Sequence, residues 1–190
     1  DNHEVVFGNK LNFKVVASHP EGHPLQFSLS EAPPNAKINA TNGEFTWEPS
    51  NAGTYEAIVR VTETLYNQYI EETVTIAVEP AQTRLRFWLD SSAIFKDSGI
   101  VNLTGKLTSY PDVKEHLTGL AVNLTILALD GSPFLTETTQ TLEAGEFVFA
   151  NLTHFTEEGD YSFNVSFAGT ENLEAARPQN DFLQVNKLAG

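Results

Sequence analysis

One short stretch concentrates side chains that could do chemistry. In A17-S-H-P-E-G-H-P-L-Q-F-S-L29, His19, Glu21 and His23 fall at alternate positions around Gly22. Imidazole suits zinc or copper, and a carboxylate can complete such a set. Pro20 and Gly22 predict a tight exposed turn, and a third ligand is expected to come from elsewhere. The residues therefore read first as two solvated turn histidines. Metal ligation by His19, Glu21 and His23 is the alternative.

Other chemistry is harder to find. The remaining histidines are His3, His116 and His154. None sits in a nucleophile motif, and G-x-S-x-G, H-E-x-x-H and a phosphate-binding glycine loop are all missing from the chain. Glu71-Glu72 and Glu157-Glu158 are adjacent carboxylates. Neighbours on a strand point to opposite faces, so neither pair can act as an acid/base couple on one substrate. No enzymatic function is expected. Trp47 and Trp88 are the only tryptophans. Core or junction packing is the expectation for both, with sugar stacking on Trp88 as the alternative. Five N-x-[S/T] sequons, at Asn39, Asn102, Asn123, Asn151 and Asn164, predict outward strand positions or glycosylation sites.

The elements that must carry these residues read as strands. Runs such as Y55-E-A-I-V-R-V-T62, E72-T-V-T-I-A-V78 and L120-A-V-N-L-T-I-L-A-L129 alternate apolar and polar residues. Turn residues separate them, as at P20-E-G, T41-N-G and D130-G-S-P. Y110-P-D-V-K-E-H-L-T-G119 could hold a helical turn in a loop. Many short strands at this spacing point to a β-sandwich.

The chain also repeats itself. N42-G-E-F-T-W47 and A52-G-T-Y-E-A-I-V-R-V61 in the first half correspond to A144-G-E-F-V-F149 and E158-G-D-Y-S-F-N-V-S-F167 in the second. Each pair gives Gly-Glu-Phe, a short strand, a loop, then Gly-x-Tyr and a long alternating strand. Tyr55 and Tyr161 are candidates for tyrosine corners, in which the hydroxyl bonds back to the corner backbone. A boundary is expected in E79-P-A-Q-T83, where the apolar pattern lapses. The expected domains are 1–80 and 83–190.

Composition narrows the function classes. The formal net charge is -14 over 190 residues, with -7 in each half. Evenly spread acidity argues against nucleic acid and anionic membranes as partners. No apolar run approaches the roughly 18 residues that a membrane helix needs, so no membrane insertion is expected within this stretch. With no cysteines, there are no disulfides, thiolate metal sites or thiol nucleophiles.

Residues 4–79 resemble the cadherin-like, putative-immunoglobulin repeats of microbial surface proteins, related to the cadherin-like domain of dystroglycan. The resemblance rests on Leu25, Phe27, Leu29, Pro33, Ala36, Ile38, Gly43, Phe45, Trp47, Pro49, Gly53 and Tyr55. The second half more loosely resembles bacterial immunoglobulin-like repeats, through G145-E-F-V-F, E158-G-D-Y-S-F-N-V-S-F-A-G169, E174-A-A-R-P and D181-F-L-Q-V. The fold this implies is all-β: two tandem immunoglobulin/cadherin-like Greek-key β-sandwiches.

The implied function is a non-catalytic extracellular module of a larger surface or secreted protein, serving as a spacer, adhesion or protein-interaction unit. The alternatives are an accessory carbohydrate-binding module of a polysaccharide-degrading enzyme and a surface-layer or filament unit. Partners would be protein or polysaccharide at the cell surface and neighbouring domains of the same parent chain. No cofactor is expected. Calcium is the one ion the resemblance suggests, because relatives often carry acidic residues where His19 and His23 stand here.

Overall fold

The computed structural model describes residues 1–153, 155–176 and 181–187. His154 therefore lies outside the described residues, as do Arg177 and Pro178 of the E174-A-A-R-P motif. The chain separates into two compact units, Asp1–Ala81 and Gln82–Gly190.

The first unit contains β1 (Asn2–Val6), β2 (Leu11–Lys14), β3 (Leu25–Glu31), β4 (Lys37–Ile38), β5 (Glu44–Trp47), β6 (Gly53–Glu63) and β7 (Gln68–Glu79). One sheet runs β1-β7-β6-β3 and the other β2-β5-β4. Alternation decides which side chains meet between the sheets. Ala57, Val59 and Val61 of β6 and Val74, Ile76 and Val78 of β7 are buried, and so are Phe45 and Trp47 of β5. Phe45 is fully buried and stacks on Phe13 at 4.5 Å between ring centroids.

Within this unit the first strand pairs with the last in parallel, with Asn2 opposite Thr75 and Val6 opposite Glu79. Thr75 N–H donates to the Asp1 carbonyl at 3.0 Å, and Phe7 N–H to the Glu79 carbonyl at 2.8 Å. The odd-numbered residues of β1 thus face the ladder.

The second unit contains β8 (Gln82–Leu89), β9 (Ala93–Phe95), β10 (Val101–Tyr110), β11 (Ala121–Leu127), β12 (Pro133–Gln140), β13 (Glu146–Leu152), β14 (Gly159–Ser166) and β15 (Asp181–Asn186). Its sheets run β13-β10-β8 and β12-β11-β14-β15-β9. Leu103, Leu107, Val122, Leu124, Ile126, Phe163 and Leu183 are among its fully buried side chains. An aromatic group of Phe134, Phe155 and Tyr161 packs at centroid distances of 5.1–5.4 Å. The turn expected in Y110–G119 is a 3-10 turn at Lys114–His116. Of the expected linker, only Pro80 and Ala81 lie between strands β7 and β8.

The internal repeat has a physical basis in both units. Tyr55 O–H donates to the Asn51 carbonyl at 3.1 Å, and Tyr161 O–H to the Glu157 carbonyl at 3.4 Å. Both are tyrosine corners, with the acceptor four residues upstream in each. The glycines opening the Gly-Glu-Phe strands are also equivalent. Gly43 has φ +72° and Gly145 φ +80°, and a Cβ there would lie 2.4 Å from the Val15 carbonyl oxygen or 2.2 Å from that of Leu107. Only glycine combines that conformation with so close a backbone approach.

Candidate functional site

The loop 15–24 joins β2 to β3 and contains no strand. Its exit is pinned by the β3–β6 pairing, which sets Leu25 opposite Glu63. Thr64 adds two bonds to the Pro24 carbonyl, from its N–H at 3.1 Å and its hydroxyl at 3.2 Å. The turn after β6 is therefore held against His23. Glu63 is buried at the end of β6, and its carboxylate accepts the N–H groups of Leu65 at 2.6 Å and Tyr66 at 2.8 Å. Burial pushes the Glu63 carboxyl up. The Tyr66 and Leu65 N–H groups and the nearby His23 and His19 outweigh that, leaving it below the usual carboxylate range.

His23 lies between two carboxylates. Its Nδ1 is 3.5 Å from Glu63 Oε1, and its Nε2 is 3.6 Å from Glu21 Oε2. The His19 ring lies parallel to that of His23, with centroids 4.4 Å apart and planes 9° from parallel. The turn is closed by Gly22 N–H to the His19 carbonyl at 3.0 Å and by Glu21 N–H to His19 Nδ1 at 3.2 Å. One ligating atom from each of His19, Glu21 and His23 lies within 4.8 Å of the others.

These positions correct the expectation of two solvated histidines. His23 is only 20% exposed in its side chain, and its buried Nδ1 has no bonded partner of good geometry. The third donor comes from the same loop, as Glu21. Glu21 is the only carboxylate within the loop. A calcium ion needs six to eight oxygens. Two imidazoles, Glu21 and an already engaged Glu63 do not fit that requirement.

Trp47 and Trp88 part company. Trp47 is buried, donates its Nε1–H to the Pro34 carbonyl at 3.0 Å and meets the Tyr55 ring edge-on at 4.9 Å. Trp88 is 55% exposed, which corrects the expectation that it packs away. It stands on the outer face of the sheet β13-β10-β8, with Thr104 beside it and exposed Val148 beyond. One row along lie Arg86, Lys106 and Glu146, then Arg84 and Thr108. Lys106 reaches Glu146 at 3.7 Å. The signal was present in the sequence, since Arg84 and Arg86 share the parity of Trp88 and Leu85 does not.

The Glu71-Glu72 pair is engaged locally. Glu71 accepts from the Ser30 hydroxyl and from Arg60 Nε at 2.9 Å, while Glu72 faces the N-terminal amine at 3.6 Å. Among the sequons, Asn102, Asn123, Asn151 and Asn164 stand on β10, β11, β13 and β14. Asn102 is already committed. Its Nδ2 donates to Asp90 at 2.7 Å, and its Oδ1 accepts from Asn151 N–H at 2.8 Å. Its own backbone N–H holds the Asp90 carboxyl below the ordinary range.

Residues 1–79 match the family model described as Putative Ig domain. No curated protein matches the chain. Several solved structures are similar. The fibronectin(III)-like modules of Clostridium thermocellum CbhA are 11% identical, with 98% of this chain and 89% of that chain covered and a TM-score of 0.35. A tetra-tandem repeat from the extending region of a large adhesion protein is 12% identical, with 93% and 56% covered and a TM-score of 0.47. Drosophila N-cadherin EC1-3 is 14% identical, with 100% and 65% covered and a TM-score of 0.47. The chain thus spans little more than half of that adhesion-protein structure. Among the described residues no helix is long and apolar enough to cross a membrane.

Proposed function

We propose that this chain, whose first unit matches the Putative Ig domain family, is a non-catalytic tandem module of a larger surface or secreted protein, acting as a tension-bearing spacer. The supporting observation is the pairing of terminal strands. In the first unit the terminal strands β1 and β7 are parallel neighbours; in the second the last strand, β15, pairs in parallel with the second strand, β9. Pulling on the two ends of the first unit draws β1 and β7 in opposite directions along a shared axis. The ladder is then loaded in shear, so its hydrogen bonds must fail together. Forced unfolding is governed by the unfolding barrier, which such a ladder raises.

The expected result is that Val5→Pro lowers the unfolding force of the first unit. Val5 has ladder-facing parity, so proline removes a donor there. At equilibrium the same change costs about 1 kcal/mol, the value of one hydrogen bond. Single-molecule pulling set beside chemical denaturation checks this. An unchanged force at reduced equilibrium stability would sink the reading.

A second reading, accessory binding of an acidic polysaccharide, is favoured by the outer face around Trp88. An exposed indole beside Arg84 and Arg86 is a local exception on a chain of net charge -14. A flat aromatic face can stack on a sugar ring, and guanidinium groups pair with sulfate or carboxylate. Affinity electrophoresis in sulfated or uronate polysaccharide should show salt-sensitive retardation. Trp88→Ala should weaken it roughly tenfold, the upper end for one aromatic contact. Mobility unaffected by any polyanion would remove this reading and leave the spacer standing.

A further inference from the structure

We propose that His19, Glu21 and His23 form a zinc site, with Glu63 fixing His23 from behind. Four observations converge on it. First, the donors are of the right kind: two imidazoles and one exposed carboxylate make a borderline set that suits Zn²⁺.

Second, His23 is oriented for the task. Its Nδ1 faces the Glu63 carboxylate at 3.5 Å, and its Nε2 faces Glu21 at 3.6 Å. A proton on Nδ1 would face Glu63 at that distance, which leaves the Nε2 lone pair directed at the space beside Glu21. A ligating histidine that gives its other N–H to a carboxylate is the recurrent arrangement around protein-bound zinc. Here that carboxylate comes from a strand end 40 residues away in sequence, and is itself fixed by two backbone N–H groups.

Third, the orphan atom in this region is the one the arrangement explains. His23 Nδ1 is buried and lacks a bond of good geometry. Drawing His23 into a metal's coordination shell gives that N–H a defined charged acceptor.

Fourth, the movement required is small. The three ligating atoms lie within 4.8 Å of one another, and tetrahedral zinc at 2.0–2.1 Å from nitrogen needs roughly 3.3 Å between ligands. The stacked rings must tilt toward a common point, and the exposed loop between them can close. His19 then gives up its 3.2 Å contact with Glu21 N–H, because that contact needs Nδ1 unprotonated with the proton on Nε2. Three protein ligands leave a fourth tetrahedral position for water or for a side chain of a partner.

The test is isothermal titration of ZnCl₂ into the whole chain, with CaCl₂ run in parallel. One zinc should bind with micromolar or tighter affinity, and calcium should not compete. His19→Ala and His23→Ala should each remove the saturable binding. Glu63→Gln should weaken it roughly 10–100-fold, the usual effect of losing the carboxylate behind a ligating histidine. His3→Ala should change nothing. Circular dichroism of each variant guards against loss of fold, and His19, in the loop outside the core, gives the safest comparison. Histidine ring NMR supplies an independent readout, since zinc should shift the His19 and His23 signals and spare His116. Absence of saturable zinc binding overturns the proposal. So does binding that survives the His19→Ala/His23→Ala double variant, or equal competition by calcium.

Discussion

Gly145→Ala is expected to destabilise the second unit by about 3 kcal/mol, while Gly131→Ala costs only about 1. Both glycines have φ +80°. The conformational cost of placing an L side chain in the left-handed region is therefore the same for each. What differs is the space around them. A Cβ on Gly131 meets nothing within 4 Å, whereas one on Gly145 would sit 2.2 Å from the Leu107 carbonyl oxygen, with Leu107 fully buried in the core. Backbone cannot move aside as the tip of a flexible side chain can. The difference between the two variants thus measures the clash alone. Gly43→Ala in the first unit should behave like Gly145→Ala, because its Cβ would lie 2.4 Å from the Val15 carbonyl oxygen. Urea denaturation of the three variants checks this, and equal losses at Gly131 and Gly145 would contradict it.

That glycine pair also explains why the repeat could be read from the sequence. Gly-Glu-Phe and Gly-x-Tyr are local demands: a positive φ, a close backbone approach, and a hydroxyl returning to a carbonyl four residues upstream. Each demand restricts residue type at one position, so it leaves a mark in the chain. The strands were legible for a similar reason, since a half-buried strand imposes period two. The exposure of Trp88 is harder to read, because Phe87 and Leu89 flank it and an apolar run hides parity.

The site was only half legible. The spacing of His19, Glu21 and His23 is visible in the sequence, but a tight turn was expected to leave both imidazoles in water. What removes His23 from water is the β3–β6 register, which brings Glu63 to it from 40 residues away. Nothing local in the loop encodes that contact. The parallel pairing of β1 with β7 was hidden in the same way, since it joins the two ends of the unit. Contacts between residues distant in sequence leave no periodic signal, and they decide here both which strands close the first unit and which carboxylate stands behind His23.

Phe45→Ala is expected to unfold the first unit well before the second. Phe45 has no exposed surface and stacks on Phe13, so truncation removes its transfer free energy and leaves a cavity, at a cost of about 3–5 kcal/mol. Small domains have only about 5–15 kcal/mol of stability in total, and a unit spanning Asp1–Ala81 belongs near the lower end. At roughly 4–8 °C per kcal/mol for a domain of this size, the midpoint should fall by more than about 12 °C. Phe163→Ala, equally buried in the second unit, should do the converse. Backbone amide NMR during thermal unfolding distinguishes the units residue by residue. If the units fold separately, each variant lowers one set of signals and leaves the other at its wild-type midpoint. If both sets fall together, the two sandwiches form one cooperative body. The shear-loaded ladder of the first unit could not then be treated as an independent mechanical element, and the Val5→Pro experiment would report on the whole chain instead.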